Sequence, residues 1–191
     1  YLSVIVNESG RLTRLINNVL DFGKLEQGKK TYQMSNFELD QFLLEIIKAH
    51  SIRIENQDLE IITQIEQGEQ GKYLVRTDKD AIEQVVLNLL DNALKYAGKG
   101  KFIKFVLKKE HYTILLKICD DGPGIPNTQQ ELIFEKFHRV DNSLTSKQPG
   151  SGLGLSIARQ ILRDLKGDLF FEHRPGNGSC FTARIKHDDS D

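Results

Sequence analysis

The chain opens with apolar residues that recur at the steps of a helix, with polar residues such as Glu8 and Arg11 between them. Steps of three, four and seven place apolar side chains on one stripe, and such a stripe needs a second helix to cover it. We therefore expect a stem helix over residues 1–28. Its partner is an upstream helix, a second chain or, alternatively, the domain that follows. The seam consists of Ile5, Leu12, Leu15, Val19 and Phe22.

Beyond a polar linker at residues 29–35, helical and strand periods alternate up to residue 187, which predicts one domain over residues 36–187. Ser35 and Glu38 resemble a capping box at the start of a second helix, and Asp78 is the expected cap of a third helix of about twenty residues. A fourth helix is expected over 152–166. Strands are expected at 59–65, 73–76, 102–107, 112–118, 168–173 and 179–186, before a frayed tail at 188–191.

Composition limits the class of protein. With 39% hydrophobic and 28% charged residues, the 191-residue chain is typical of a soluble globular domain with an appendage. A net charge of −1 gives no basis for nucleic-acid binding, and no apolar run approaches the roughly 18 residues of a membrane span. Because the chain begins without Met inside a helical pattern, we expect a piece of a longer protein, which could be membrane-anchored. Cys119 and Cys180 are expected to be buried, reduced thiols, with a cytoplasmic location as the default.

An acidic, glycine-rich segment follows the apolar strand predicted over residues 112–118. It reads Cys-Asp-Asp-Gly-Pro-Gly over residues 119–124 and places Asp120 where a buried strand ends. A carboxylate in an apolar pocket needs a hydrogen-bond donor, and the exocyclic amine of a purine is one. Gly122 and Gly124 would let a flat ring lie close to the backbone. Taken alone, the segment is more typical of a simple turn than of a nucleotide site.

The third predicted helix carries a polar face beside its apolar one. Asn88, Asn92, Lys95 and Tyr96 follow one another at intervals of four, three and one, which places them on one side of the helix. An amide oxygen is a hard ligand of the kind that Mg²⁺ accepts, and a nearby lysine can neutralise phosphate. Asparagines in the middle of a helix are unfavourable without such a reason.

Two later segments complete the set of candidate motifs. Phe134 and Phe137 could anchor a lid over residues 126–150, with Lys136 and Arg139 as cations that could reach phosphate. A glycine run over residues 150–154 opens the fourth helix, where backbone N–H groups attract phosphate. It lacks the Gly-Lys-Ser/Thr of a Walker loop and the surrounding order of a dinucleotide fold. Residues 21–23 and 138–141 imitate motifs of Ser/Thr/Tyr kinases, but in reversed order.

In order, these motifs resemble the N, G1, F, G2 and G3 boxes of sensor histidine kinases, and the resemblance covers nearly the whole chain. The matching segments are residues 88–96, 120–124, 134–137, 150–154 and 176–178, while residues 1–27 resemble the second helix of that family's dimerisation and phosphoacceptor domain. The resemblance implies an α+β fold, the Bergerat ATP-binding fold, in which helices cover one face of a mixed sheet. It also implies ATP and Mg²⁺ as cofactors, a response regulator as partner and a homodimer formed through the stem.

The resemblance also implies a role for each site residue. Asp120 would accept from the adenine amine, and Asn88 and Asn92 would hold Mg²⁺. Lys95 and Tyr96 would lie along the phosphates, and Arg139 would reach the γ-phosphate, so that Asn88, Lys95 and Arg139 form the catalytic set. The remaining nucleotide-binding positions are Gly122, Gly124 and Ile125 around the base and Gly150, Gly152, Leu153, Gly154 and Leu155 at the end of the lid.

One substitution within these motifs favours phosphoryl transfer over hydrolysis. The resemblance implies that ATPases of this fold carry a Glu as general base four residues before the metal-binding Asn. In this chain that position is Asn88, whose amide cannot take a proton. The family's acceptor box is absent, because none of the histidines has its context: His50, His111, His138, His173 and His187. We therefore expect a histidine kinase that does not phosphorylate itself within this chain. A nucleotide-binding scaffold and an ATPase of the same fold remain the alternatives.

Overall fold

The computed structural model describes residues 30–66, 73–97, 101–140, 151–173 and 178–187, together with Ile16, Val19, Leu20, Gly23, Leu25, Gln27 and Gly28 of the stem. The strands are β1 (Met34–Glu38), β2 (Glu60–Ile65), β3 (Leu74–Asp78), β4 (Phe102–Glu110), β5 (Thr113–Asp120), β6 (Asp168–His173) and β7 (Ser179–Lys186). The helices are α1 (Leu39–Glu55), α2 (Lys79–Tyr96) and α3 (Gly154–Asp164), and two single 3₁₀ turns lie at Asn127–Gln129 and Leu132–Phe134.

Five strands form a mixed sheet in the order β2-β4-β5-β7-β6, and β1 pairs with β3 in a separate antiparallel ribbon. β2 runs parallel to β4, while the other neighbours in the sheet are antiparallel. Alternate residues of the central strands, such as Phe105, Leu116 and Phe181, are buried and form the core with the helices. Their neighbours, such as Lys117 and Arg184, lie on the opposite face. The expected α+β fold, with helices on one face of a mixed sheet, is confirmed.

Helix α2 packs against α3 and against the sheet, and α3 packs on β6 and β7 beside it. It begins at the expected cap, because Asp78 Oδ1 accepts a hydrogen bond from the backbone N–H of Ala81 at 2.8 Å. Asp78 Oδ2 accepts from the backbone N–H of Gln33 at 2.6 Å, so the same carboxylate fastens the linker. The buried side of α2 consists of Ala81, Ile82, Val85, Val86, Leu89, Leu90, Ala93 and Leu94.

The capping box predicted at the start of the second helix is wrong. Ser35 lies in β1 opposite Thr77, and its hydroxyl donates to the Thr77 carbonyl at 3.5 Å. Glu38 occupies the cap position of α1, but its side chain makes no capping hydrogen bond. The local capping pattern is overridden by long-range strand pairing, because residues 34–38 pair with β3 and are extended.

The prediction of reduced cysteines is also wrong. Cys119 and Cys180 form a disulfide, and their Cα atoms are 4.0 Å apart. They are direct partners in the antiparallel pair of β5 and β7, although they are 61 residues apart in sequence. Strand register brings them together, and register is set by the whole sheet rather than by residues near either cysteine.

The stem is described at a few positions only. Val19 is the one residue of the predicted seam among them, and it is 55% exposed, like its neighbours Ile16 and Leu20 at 57% each. Leu25, by contrast, is buried beside Phe134 and Ile157 of the domain. The remaining seam residues lie outside the described part of the chain, so dimerisation through the stem stays a prediction. None of the helices in the described ranges is long and apolar enough to cross a bilayer.

Candidate functional site

Asp120, the last residue of β5, lies on the helix-covered side of the sheet. Its side chain lies on the same face of β5 as that of Ile118, two residues earlier, and the residue is 1% exposed. Its Oδ1 accepts a hydrogen bond from the backbone N–H of Gly122 at 2.9 Å, so the carboxylate is oriented by the loop that it begins. A buried carboxylate held in a fixed direction is costly to desolvate, which makes this position a candidate for ligand recognition.

The loop after Asp120 approaches the C-terminal end of α2 so closely that only glycine fits. A Cβ at Gly122 would lie 2.4 Å from the backbone oxygen of Tyr96 and 3.1 Å from the Cα of Ala97. These separations are too short for any side chain, so Gly122 lets the end of β5 and the end of α2 meet backbone to backbone.

A third segment reaches the same point from the start of β7. Gly178 has a φ of +111°, and a Cβ there would lie 2.2 Å from the carbonyl oxygen of Asp120. Gly124, with a φ of +77°, in turn lies against Gly178, whose carbonyl oxygen would be 3.2 Å from a Cβ at Gly124. The sequence marks Gly178 only as part of its last motif. Its approach to Asp120 follows from the pairing of β5 with β7.

Asp121 has different hydrogen-bond partners from Asp120. Its carboxylate accepts from the backbone N–H of Lys101 at 2.9 and 2.8 Å and from that of Phe102 at 3.3 Å. It therefore fixes the start of β4, whereas the Asp120 carboxylate accepts from Gly122. The sequence alone does not separate the roles of these two adjacent acids.

The polar face predicted on α2 is present. Asn88, Asn92, Lys95 and Tyr96 are all half-buried on one side of the helix. Lys95 Nζ donates to the Tyr96 hydroxyl at 2.8 Å and lies 4.5 Å from the centre of its ring. Asn88 Nδ2 is buried without a hydrogen-bond partner among the described residues. A buried amide N–H without an acceptor destabilises the folded protein unless a further group, such as a ligand, accepts its hydrogen bond.

The start of α3 lies beside this face of α2. A Cβ at Gly154 would be 3.4 Å from Asn88 Oδ1, so the first turn of α3 borders the amide. Leu153 is fully buried, and its backbone N–H donates to Ser151 Oγ at 3.3 Å. Leu155 and Ile125, both predicted to line the site, are partly buried and pack on the core. Gly150 lies outside the described residues.

The segment before the glycine run is anchored by one aromatic residue and not by two as expected. Phe134 packs edge-to-face on Phe181, with ring centres 6.5 Å apart, and the Arg159 guanidinium lies 4.4 Å above the Phe134 ring. The side chain of Phe137 is 63% exposed. Its backbone N–H instead donates to the carbonyl of Gly152 at 3.1 Å, which ties the two motifs together.

Two other residues of this segment were singled out by the sequence. Arg139 is half-buried, and His138 Nε2 lies 2.8 Å from Gln129 Oε1, which makes it part of the loop's own structure. Residues 141–150 of the predicted lid lie outside the described part of the chain.

A cavity of about 530 Å³ lies on the other face of the sheet and does not reach Asp120. It is lined mainly by residues of β5, β6 and β7, such as Leu115 and Arg184, and by Tyr112 in the turn before β5. Because its walls carry no buried carboxylate or amide, it does not compete with the site at Asp120.

The residues around Asp120 and Asn88 fit a purine nucleotide and a metal-bound phosphate. The base end offers a fixed acceptor within a cradle of glycine backbone, and the other end offers amide oxygens, an ammonium group and a helix N-terminus. No group of three or more His, Cys, Asp or Glu side chains in the described ranges could hold a metal ion by itself. A metal here would depend on amide and phosphate oxygens, which is the manner in which Mg²⁺ is usually held.

Comparison with known proteins agrees with this geometry. A family described as histidine kinase-, DNA gyrase B- and HSP90-like ATPase matches residues 77–189. The adaptive-response sensory kinase SasA of Crocosphaera subtropica is 32% identical over 92% of this chain and 45% of its own length. The sensor histidine kinase WalK of Bacillus subtilis is 31% identical over 98% of this chain and 30% of its own.

A solved structure has the same fold. Histidine kinase ThkA in complex with response regulator protein TrrA is 25% identical and matches with a TM-score of 0.76 over 98% of this chain and 51% of that chain. The chain spans less than half the length of the two relatives named above, SasA and WalK. The family match covers more than half of the chain and includes α2, the Asp120 loop, α3 and the last two strands. The chain therefore belongs to the histidine kinase-, DNA gyrase B- and HSP90-like ATPases, as a catalytic ATP-binding domain of the sensor histidine kinase type.

Proposed function

We propose that this chain binds ATP with Mg²⁺ and transfers the γ-phosphoryl group to a histidine outside the chain, as the catalytic part of a two-component signalling kinase. The observation that carries the proposal is the buried carboxylate of Asp120 in its glycine cradle, with the polar face of α2 beside it.

The base end would read adenine through Asp120. The Asp120 carboxylate accepts a hydrogen bond from the exocyclic amine of adenine, whereas guanine presents a carbonyl oxygen at the same ring position. Leaving a buried acceptor without its donor costs about 1–3 kcal/mol, or roughly ten- to a hundredfold in affinity. Gly122 and Gly124 keep side chains out of the space that the flat ring needs.

The phosphate end would be held by α2 and by the start of α3. Asn92 and Asn88 offer amide oxygens to Mg²⁺, which when bound neutralises phosphate charge and orients the terminal phosphoryl group. Lys95, with Tyr96 beside it, lies on the same face of α2 as these amides. The first backbone N–H groups of α3, at Gly154 and Leu155, face the same region, and Arg139 is the cation proposed for the γ-phosphate.

Transfer is favoured over hydrolysis because the site lacks a base in the position that would activate water. Asn88 occupies that position, and its amide cannot accept a proton from water. Phosphoryl transfer mainly needs positioning and charge stabilisation, which the residues described above would supply. The acceptor must bring its own nucleophile, and histidine is the nucleophile used by the kinases that this chain resembles.

The partners follow from the same proposal. ThkA is found with its response regulator TrrA, and we propose a response regulator as the protein that next receives the phosphoryl group. The exposed apolar side chains at Ile16, Val19 and Leu20 support a homodimer formed through the stem. We propose that the domain works in the cytoplasm, where ATP is available.

The test supplies the missing acceptor. The chain is incubated with γ-labelled ATP and Mg²⁺, with and without a histidine kinase dimerisation domain that carries the acceptor histidine. We expect acid-labile phosphate on the added histidine, none on this chain, and loss of labelling in Asn92→Ala. Stable label on the chain itself, or release of free phosphate while the added histidine stays unlabelled, would contradict phosphotransfer. The second outcome would instead support the ATPase alternative.

A further inference from the structure

We propose that Cys119 and Cys180 form a redox-sensitive pair whose disulfide and dithiol states give the nucleotide site different affinities. This inference rests on the proposed function, because the nucleotide is the ligand whose binding would change. It adds a chemical control to the catalytic domain itself, separate from the stem.

The pair is placed for direct bond formation. The two cysteines are cross-strand partners in β5 and β7, with Cα atoms 4.0 Å apart, and they are bonded in the structure. Cross-strand partners share a face of the sheet, so both side chains lie opposite the helices.

The bond joins the two strand ends that build the base end of the site. Cys119 directly precedes Asp120, and Cys180 follows Gly178 by two residues. Gly178 is the residue whose backbone lies against the carbonyl of Asp120, where a Cβ would be 2.2 Å from that oxygen. Consequently the disulfide on one face of the sheet fixes the separation of the segments that hold the carboxylate on the other face.

The surroundings of the two sulfur atoms differ. Lys104 is the cross-strand partner of Cys119 in β4, whereas Glu172 is the partner of Cys180 in β6. Glu172 is itself engaged, because Lys117 Nζ donates to both of its carboxylate oxygens at 2.9 and 2.8 Å. A neighbouring cation favours a thiolate, and of the two cysteines Cys119 is the one whose cross-strand partner is a lysine, so Cys119 is the better leaving group.

Reduction is therefore expected to proceed in a defined order. A thiolate of a small dithiol attacks Cys180 Sγ, the S–S bond breaks, and Cys119 leaves as the thiolate. The second thiol of the reagent then attacks the mixed disulfide, which frees Cys180 and gives a cyclic disulfide of the reagent. Two electrons pass from reagent to protein, and two protons complete the cysteine thiols. A low-molecular-weight disulfide reverses the exchange.

Burial limits which reagents can act. Cys119 is 6% exposed and Cys180 is 4% exposed, so attack requires the strand ends to open locally. Small thiols enter such openings more readily than a protein oxidoreductase. In a reducing cytoplasm, disulfides that do form are usually transient and regulatory, which matches a pair that controls a signalling enzyme.

The disulfide state is expected to bind nucleotide more tightly. A covalent tie between the strand ends holds Asp120 and Gly178 in place before the ligand arrives, and preorganisation of this kind lowers the cost of binding. We expect ADP affinity to be about fivefold or more higher in the oxidised protein, within the usual range of coupling between two sites.

The experiment titrates the whole chain with ADP by calorimetry after equilibration with reduced or oxidised dithiothreitol. Mass spectrometry under denaturing conditions counts the two hydrogen atoms that separate the states. Cys180→Ala, which cannot form the bond, is the matched control and should bind ADP equally in both buffers, close to the reduced wild type.

Each outcome is decisive. Tighter binding by the oxidised wild type, together with an insensitive Cys180→Ala variant, supports the proposal. Equal ADP affinity in the two states of the wild type overturns it and leaves the proposed function intact. Failure of the wild type to form the disulfide in oxidised dithiothreitol overturns it as well. Absence of ADP binding in both states contradicts the proposed function, and this inference falls with it.

Discussion

The two ends of the candidate site are built in different ways. At the base end, three backbone segments meet, with separations that leave no room for a side chain. They are the loop at Asp120 and Gly122, the end of α2 at Tyr96, and Gly178 before β7. At the phosphate end, half-buried side chains of α2 face the first turn of α3, and Asn88 Nδ2 has no hydrogen-bond partner in the described part of the chain.

This difference indicates how the work of binding is divided. Backbone that is packed against backbone, and joined here by the Cys119–Cys180 disulfide, has one arrangement, so the base end is formed before any ligand arrives. Side chains such as Lys95 and Asn92 can reorient, so the phosphate end can be completed by the ligand and its metal. Selectivity for the base then resides in fixed structure, and the chemistry resides in groups that adjust.

The largest effect is expected from filling the base end. In Gly178→Ala the Cβ would lie 2.2 Å from the Asp120 carbonyl at a backbone φ of +111°, so the strand ends must separate. We expect the free energy of unfolding to fall by about 2–5 kcal/mol and ADP binding to be lost. Chemical denaturation and calorimetry measure the two effects.

Gly23→Ala is the matched control, because nothing lies within 4 Å of a Cβ at that position. Because Gly23 lies in a helix, this variant should raise the free energy of unfolding by at most about 1 kcal/mol and should leave ADP affinity unchanged. A Gly178→Ala protein that binds ADP like the wild type would show that the base end is not fixed as described.

An intermediate effect is expected at the phosphate end. Asn92→Ala removes a proposed amide ligand of Mg²⁺ but leaves the base end unchanged. We expect the gain in ATP affinity on adding Mg²⁺ to shrink by about tenfold or more, the size found when even an outer partner of a metal is removed. ATP binding in chelator should be nearly that of the wild type.

Asp91→Ala controls for that prediction, because Asp91 is the preceding residue of α2 and pairs with Arg53 at 2.6 Å instead of facing the site. Its Mg²⁺ dependence should match the wild type. If Asn92→Ala also keeps the full Mg²⁺ effect, the metal is not held by α2.

The smallest effect is expected from Asp168, which pairs with Arg159 and Arg163 of α3. Burial raises the pKa of Asp168, but hydrogen bonds from the Leu169 N–H, Arg159 and Arg163 outweigh it and hold this pKa below its usual value. A carboxyl whose pKa is lower in the folded state stabilises the protein above its unfolded pKa. That stabilisation is lost as the pH falls through the folded pKa.

Accordingly, Asp168→Ala should lower the free energy of unfolding by about 1 kcal/mol at pH 7, since the arginines are partly exposed. The difference from the wild type should shrink on acidification below the usual carboxyl range. ADP affinity should be unchanged, because the hydrogen bonds of Asp168 join the end of α3 to β6, away from Gly154. A difference that stays constant down to strongly acidic pH would assign the effect to packing.

The sequence predicted the elements that depend on local patterns. The hairpin of β6 and β7 was predicted within the observed bounds, and Asp78 caps α2 as expected. The polar face of α2 followed from helical periodicity alone.

What the sequence missed depends on register and long-range contact. Ser35 belongs to β1 because of its pairing with β3, and Cys119 meets Cys180 because β5 pairs with β7. The same pairing places Gly178 against Asp120. The role of Asp121 in fixing the start of β4 could not be predicted either, because it depends on the backbone of Lys101 lying beside its carboxylate.

The most direct test of the account is a calorimetric titration with ADP of the wild type, Asp120→Ala and Asp121→Ala. The two acids are adjacent, but one lies in the glycine cradle and the other fixes the start of β4. Asp120→Ala should lose roughly ten- to a hundredfold in affinity, whereas Asp121→Ala should lose stability and keep its affinity. Wild-type affinity in Asp120→Ala, or an equal loss of affinity in both variants, would contradict it.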